Sequence, residues 1–294
     1  MSDTKYIKLP RGLVVISGAD SSTFLQGLIS QNVNKVSQKK AAYGALLSPQ
    51  GKFLHDFCIS KIGNNLILDC EQGREEELLS NIGKFKLRAK VELTHNKELS
   101  IFAVFGKKAN QLLSLPNVLG GSKEIKNGVS FVDPRSVGLG CRLIAPELDS
   151  IELLKNLSIK EGTFIEYDTI RLNLCIPDGT RDLVVNKSVL LEANFDKLHG
   201  IDWKKGCYIG QEVTARSKFR GLLKRRLVTV NYNGPSINSG SAIYLNQKQV
   251  GTIKSSVDGL SIAMLRLDAL KESNTNNPLT SNGIIISKFD DFNK

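Results

Sequence analysis

After Lys224 the sequence changes rhythm, and that change constrains the fold more than any other feature. Short apolar runs at 226–230, 242–245, 250–253 and 262–265 recur at roughly ten-residue spacing. Gly234-Pro235, Asn246-Gln247 and Asp258-Gly259 punctuate them, so this segment is expected to close into a small antiparallel barrel or sandwich. Upstream the pattern is mixed. Residues 13–16 read as a buried strand that turns at Gly18-Ala19-Asp20 into a helix, with Asp20 as its cap and Phe24, Leu25, Leu28 and Ile29 as its apolar face. Residues 41–47 and 52–59 form a predicted hairpin around Ser48-Pro49-Gln50-Gly51, and a second hairpin turns at Gly63-Asn64-Asn65. Helices are expected over 74–85, 109–115, 151–157 and 165–174, and strands over 101–105 and 129–132. Hairpins alternating with helices argue for α+β layers rather than a doubly wound parallel sheet.

The chain has 294 residues, enough for two or three subdomains. Lys5, Lys8 and Arg11 precede an apolar run of only 13–16, much shorter than the ~7–15 residues of a secretory core. No stretch approaches the ~20 apolar residues of a membrane span. A soluble, bacterial-type cytoplasmic protein without a membrane partner is the expectation. Lys and Arg total 40 against 29 Asp and Glu, a formal charge of +11, which suits either anionic partners or a generally basic surface. The five cysteines, Cys58, Cys70, Cys141, Cys175 and Cys207, are odd in number and scattered. They fit neither a disulfide framework nor a zinc ribbon, and they form no ligand spacing with His55, His95 and His199, so no metal site is expected.

The segment with most chemistry in it is Lys204-Lys205-Gly206-Cys207-Tyr208-Ile209-Gly210-Gln211-Glu212-Val213-Thr214-Ala215-Arg216. Two glycines flank the cysteine and permit a tight turn and close backbone approach. A helix can open at Gln211, with Glu212 and Arg216 four residues apart on one face. A thiol beside two lysines and near a helix start is in surroundings that favour the thiolate. The same pattern also fits a buried cysteine packed at a glycine-tight turn.

Lys205 to Glu212, read as K-G-C-Y-I-G-Q-E, resembles the signature of the YgfZ-type folate-binding proteins and their mitochondrial iron–sulfur assembly counterparts, relatives of the glycine-cleavage T-protein. Leu191-Glu192-Ala193-Asn194-Phe195-Asp196 upstream is similar to the same family, as are Phe219-Arg220-Gly221 and Arg225-Arg226 downstream. So are Phe24-Leu25-Gln26-Gly27 and Leu46-Leu47-Ser48-Pro49-Gln50-Gly51-Lys52 near the N-terminus. The resemblance implies two ferredoxin-like α+β subdomains and a C-terminal antiparallel β-barrel in a ring around a folate-sized channel. The implied division is a discontinuous first domain of 1–47 and 158–220 carrying the cysteine motif, a second domain of 48–157, and a barrel of 221–294.

The resemblance also implies a tetrahydrofolate-binding accessory factor for assembling, repairing or maturing iron–sulfur proteins, with an indirect role in tRNA modification, rather than a conventional enzyme. Its implied partners are iron–sulfur client or carrier proteins, and direct nucleic-acid binding is not expected. Cys207 is the expected reactive thiol, with Lys205 and Asp56 beside the chemistry. Tyr167, Arg171, Asn173, Arg216, Gln211 and Glu212 are the expected folate contacts. Tyr167 equally suits a core tyrosine, and Arg171 and Arg216 a solvated helix face. Two departures stand out. T-protein relatives carry a pterin-gripping Glu where Arg171-Leu172-Asn173 has an amide, and an Asp-Asp pair where this chain has His55-Asp56. These departures argue against aminomethyl transfer, the alternative enzyme reading. A second alternative, RNA interaction, rests on the Arg216, Lys218, Arg220, Lys224, Arg225 and Arg226 cluster.

Overall fold

The computed structural model describes residues 4–219, 221 and 223–288. Two antiparallel sheets carry the first half of the chain. One has five strands in the order Ala42–Leu47, Phe53–Ile62, Asn65–Glu71, Arg11–Ser17 and Glu92–Asn96. The other has six, in the order Lys160–Glu161, Lys5–Lys8, Leu99–Phe105, Cys141–Pro146, Gly128–Val132 and Ser122–Ile125, with one parallel pairing, between Lys5–Lys8 and Lys160–Glu161. Six further strands, between Arg225 and Lys288, close into a barrel. The α+β class is as the sequence pattern predicts, and of the barrel and sandwich that the C-terminal rhythm left open, the barrel implied by the resemblance is the one formed.

Strand alternation decides what each sheet buries. In Asn65–Glu71, Leu66, Leu68 and Cys70 pack under the Ser21–Gln26 and Glu75–Gly83 helices, while Ile67 points into a core shared by both sheets. The six-stranded sheet likewise gives Phe102, Val104 and Leu143 to its own helices, and Ile101, Ala103 and Ile144 to the shared core. Leu227, Leu260 and Ile262 of the barrel join that core, so three parts of the chain meet around one apolar centre.

The Cys141–Pro146 strand, not foreseen from sequence, lies in the middle of its sheet. Arg142 disguises it. The guanidinium is buried because Asp69 and Asp133 receive it from opposite sides. The expected 109–115 helix is the short Ala109–Leu112, which stops as Ser114 turns left-handed at φ 53°. The expected division after residue 47 falls in the hairpin turn between two strands of one sheet, and Lys5–Lys8 pairs within the other sheet. The chain therefore changes sheet between Lys8 and Arg11 and again between Asn96 and Leu99.

Candidate functional site

Two separated segments converge on the cysteine loop. The Lys205 ammonium donates to the carbonyls of Gln26 (2.7 Å), Ile29 (2.7 Å) and Gln31 (2.9 Å). An ammonium has three protons, and these three carbonyls take them all. Ile209 N–H donates to the Gly27 carbonyl at 3.3 Å. Gly210, at φ 76°, lies so close to the Ser48-Gly51 turn that an added Cβ would stand 2.4 Å from the Ser48 oxygen. Gly51, at φ 71°, is equally confined, with Val213 2.7 Å from where its Cβ would be. Gly206 is different: a Cβ there meets nothing within 4 Å. The expectation that both glycines serve close approach is therefore corrected to Gly210 alone. Lys205 is an anchor for the loop, and its protons are not free for a thiolate.

Burial separates the cysteines. Cys58, Cys70 and Cys141 are buried, and desolvation pushes each thiol up to about 12. Cys175 is half-buried, with the Asn194 amide 3.4 Å from its sulfur. Cys207 is exposed. The buried-cysteine reading of the motif therefore fails.

The expected folate contacts do not gather at one place. Tyr167 is a core residue, edge-on to Phe105 with centroids 5.8 Å apart. Arg171 is also fully buried rather than solvated. It donates to Asp168, Asp182, the Ile176 carbonyl and Ser255, each at 2.7 Å. With those partners it has no free edge for a ligand's carboxylate. Asn173 is exposed at the end of the Phe164–Asn173 helix. Glu212 and Arg216 pair at 3.3 Å on the exposed face of the Gln211–Phe219 helix, and the Gln211 side chain accepts from Tyr208 N–H. Part of the basic cluster is paired locally: Arg225 with Glu192 and Arg226 with Asp196, while the Lys218 ammonium lies 3.7 Å from the Trp203 ring centroid. Arg220 lies outside the described residues.

Asp56 and His55 are consecutive on one strand and so face opposite ways. His55 points at the helix side, where Asn81 is 3.4 Å away; desolvation, aided by Arg74, pushes its imidazole down to about 3. Asp56 points into the shared core. Tyr43 donates to Asp56 Oδ2 at 2.8 Å, and Oδ1 has no partner among the described residues. Desolvation raises this carboxyl above the usual range.

Two adjoining cavities lie where sheets and barrel meet. One, of about 430 Å³, is lined by Tyr43, Pro134, His199 and Trp203 among others. The other, of about 580 Å³, is lined by Arg135, Cys175, Lys197, Arg226 and Lys288, and shares Leu119 and His199 with the first. None of Tyr167, Arg171, Asn173, Gln211, Glu212 or Arg216 lines either one. The residues expected to hold a folate thus do not fit that task as a set. Tyr43 and Trp203, missed from sequence, do face the cavity. Trp203, the single tryptophan and four residues before Cys207, was the available signal.

Comparison with known proteins agrees with this architecture. Residues 11–119 match the GCVT N-terminal domain model, and residues 224–288 match that of the CAF17 C-terminal β-barrel domain. The chain is 29% identical over 246 residues to the iron–sulfur cluster assembly factor IBA57 homolog, mitochondrial, of Mycosarcoma maydis, covering 79% of this chain and 58% of that protein. The counterpart of Neurospora crassa is 28% identical over 227 residues, covering 74% and 51%, and that of Coccidioides immitis 30% over 242, covering 76% and 56%. The chain spans little more than half the length of these relatives. Among solved structures, the glycine cleavage system aminomethyltransferase T from Bartonella henselae superposes with a TM-score of 0.80, over 98% of this chain and 85% of that one, at 13% identity, a likeness of fold alone. The relatives are named as mitochondrial, which overturns the bacterial-type cytoplasmic location expected from sequence. The chain thus carries a match to the GCVT N-terminal domain over residues 11–119 and to the CAF17 C-terminal β-barrel domain over residues 224–288, has a T-protein-like fold over nearly its whole length, and resembles the iron–sulfur cluster assembly factors in sequence.

Proposed function

We propose that this chain is an accessory factor in the assembly, repair or maturation of iron–sulfur proteins, with Cys207 as its working group. The observation that carries the reading is the presentation of Cys207. It is the one exposed thiol of five, on a loop anchored by Lys205, Ile209 and Gly210 to two distant segments. Relatives named as iron–sulfur cluster assembly factors support it. A single thiolate supplies one of the about four ligands a cluster needs, so a client protein, a carrier protein or a small thiol completes the set. An effect on tRNA modification would follow indirectly, through cluster-containing modifying enzymes. The test is Cys207→Ala in cells. We expect aconitase-type activity to fall, most under oxidative stress, while glycine-dependent methylene-tetrahydrofolate formation stays normal. Healthy cluster enzymes in that strain would sink the reading.

A reduced folate remains part of the proposal, placed in the adjoining cavities rather than on the residues expected from sequence. Each volume is within the range of small-molecule sites, with flat rings at one end and cations at the other. Such a ligand stacked near Trp203 should quench its fluorescence at micromolar tetrahydrofolate, about −8 kcal/mol. An unchanged emission at millimolar ligand, with no thermal stabilisation, would remove folate from the account.

A further inference from the structure

Residues 84–90, Lys84-Phe85-Lys86-Leu87-Arg88-Ala89-Lys90, alternate basic and apolar side chains in a loop between the Glu75–Gly83 helix and the Glu92–Asn96 strand. Leu87 is 91% exposed and Phe85 is 40% exposed. Leu87 also has φ 42°, a left-handed conformation that costs a branched residue free energy unless its surroundings impose it. They do impose it. Phe85 and Lys86 N–H groups donate to the Ile82 and Gly83 carbonyls, and Ala89 N–H closes a turn onto the Lys86 carbonyl at 2.8 Å. The backbone N–H of Lys90 then donates to Asp20 Oδ2 at 2.7 Å, and its carbonyl accepts from Asp20 N–H at 3.3 Å. None of Lys84, Lys86, Arg88 and Lys90 forms an ion pair among the described residues. The far end of the short Ser21–Gln26 helix, which starts beside Asp20, supplies the carbonyls of Gln26 and Gly27 to the Cys207 loop. Six helical residues span about 9 Å, so the two loops stand at opposite ends of one short spacer.

We infer that loop 84–90 is a docking knob for the protein that brings thiolates to Cys207, with Leu87 entering an apolar pocket rimmed by acidic residues on that partner. This rests on the reading of Cys207 above. Four unpaired cations call for an acidic surface, which steers encounter and fixes register. The fixed backbone favours a shaped pocket over a bilayer. Holding one leucine in place lowers the ordering cost of binding to a pocket, whereas a fluid lipid surface gains nothing from it.

The test uses the full chain with a benzoylphenylalanine photo-crosslinker at position 87, and a control crosslinker at Leu148, which is 82% exposed elsewhere. In parallel, proteins held by Cys207 are trapped as mixed disulfides under mild oxidation. The expected result is one protein found by both routes, with an acidic cross-linked peptide. Its yield should drop about tenfold or more in the Lys86→Glu, Arg88→Glu double variant, as expected when charge complementarity is reversed. Leu87→Asn should also weaken capture by Cys207, while the Tm stays level or rises by about 2 °C as backbone strain is relieved. A protein trapped by Cys207 that never cross-links at position 87 overturns the docking surface and leaves the Cys207 reading standing. If Cys207 traps nothing, that reading falls and the docking surface with it. Sedimentation of the wild-type chain, but not the double variant, with phosphatidylcholine vesicles doped with phosphatidylglycerol, without any protein adduct, overturns it in favour of a lipid surface.

Discussion

A carboxyl group that is to act on a ligand's nitrogen must offer an oxygen to it, and Asp56 does not. One oxygen is held by Tyr43, whose ring is stacked on Phe195 at 5.0 Å, and the other is buried without a partner among the described residues. Desolvation is the largest influence and raises the carboxyl, against the opposing pull of Arg11 and the Tyr43 hydroxyl. The sign of its effect on stability follows. A raised carboxyl takes up a proton on folding, so its contribution is favourable at low pH and fades as pH climbs through the folded-state value. Asn copies the protonated acid and needs no proton. Asp56→Asn should therefore match wild type in melting temperature near pH 4 and exceed it near pH 8, with the Tyr43 bond retained. Scanning calorimetry at both values decides this. A uniform fall in the variant's Tm would mean that the ionised carboxylate is the native form.

At the level of elements, legibility followed periodicity. The barrel strands at 242–245 and 262–265 were readable because turn residues bracket short apolar runs, and Ala42–Leu47 with Phe53–Ile62 because Ser48-Pro49-Gln50-Gly51 separates them. The strand Cys141–Pro146 was not, because a charged Arg142 at a core-facing position is indistinguishable from a surface residue until its two aspartates are in place. The same blindness affected the Phe164–Asn173 helix. Its capping box, Thr163 with Glu166, fits the helix start, but nothing local reveals that Arg171 faces inward to Ser255 of the barrel. The Cys207 loop was legible in its chemistry and not in its support. Sequence showed a thiol next to two lysines, whereas the carbonyls that occupy Lys205 come from residues about 175 positions earlier. Gly206 and Gly210 look alike in sequence, and only the approach of Ser48 distinguishes them.

Across the whole molecule runs one alternating chain of charges, most of them buried, with Arg181 reaching the surface. Arg135 pairs with Asp133, Asp133 with Arg142, Arg142 with Asp69, and Asp69 with Arg11. Arg11 approaches Asp178 at 3.7 Å, and from there the path runs through Arg181, Asp168 and Arg171 to Asp182, which meets Ser255 in the barrel. Both sheets, the Phe164–Asn173 helix and the barrel are all members. Ion pairs of this kind add little net stability over apolar packing, because desolvation offsets attraction. Losing one partner nevertheless leaves a buried charge uncompensated, at about 3–5 kcal/mol. The chain therefore acts as a register device: the three parts can dock only where every charge finds its opposite. Arg171 is its link to the barrel. Burial pushes the Asp178 carboxyl up, but Arg171, Arg11 and Arg181 together bring it down to about 2. Its stabilisation is thus full above the unfolded-state value near ~4 and is lost as pH falls toward about 2. Arg171→Met removes the leading favourable charge while keeping much of the side-chain volume. The variant should lose about 3–5 kcal/mol at pH 7 by chemical denaturation, and the deficit should shrink progressively as pH falls from ~4 toward about 2, the window over which wild type loses the stabilisation of its ionised carboxylate. Barrel residues should gain hydrogen-exchange accessibility before either sheet does. A deficit of the same size at pH 3 and pH 7 would mean that Arg171 contributes packing alone and that the charges do not set how the three parts meet.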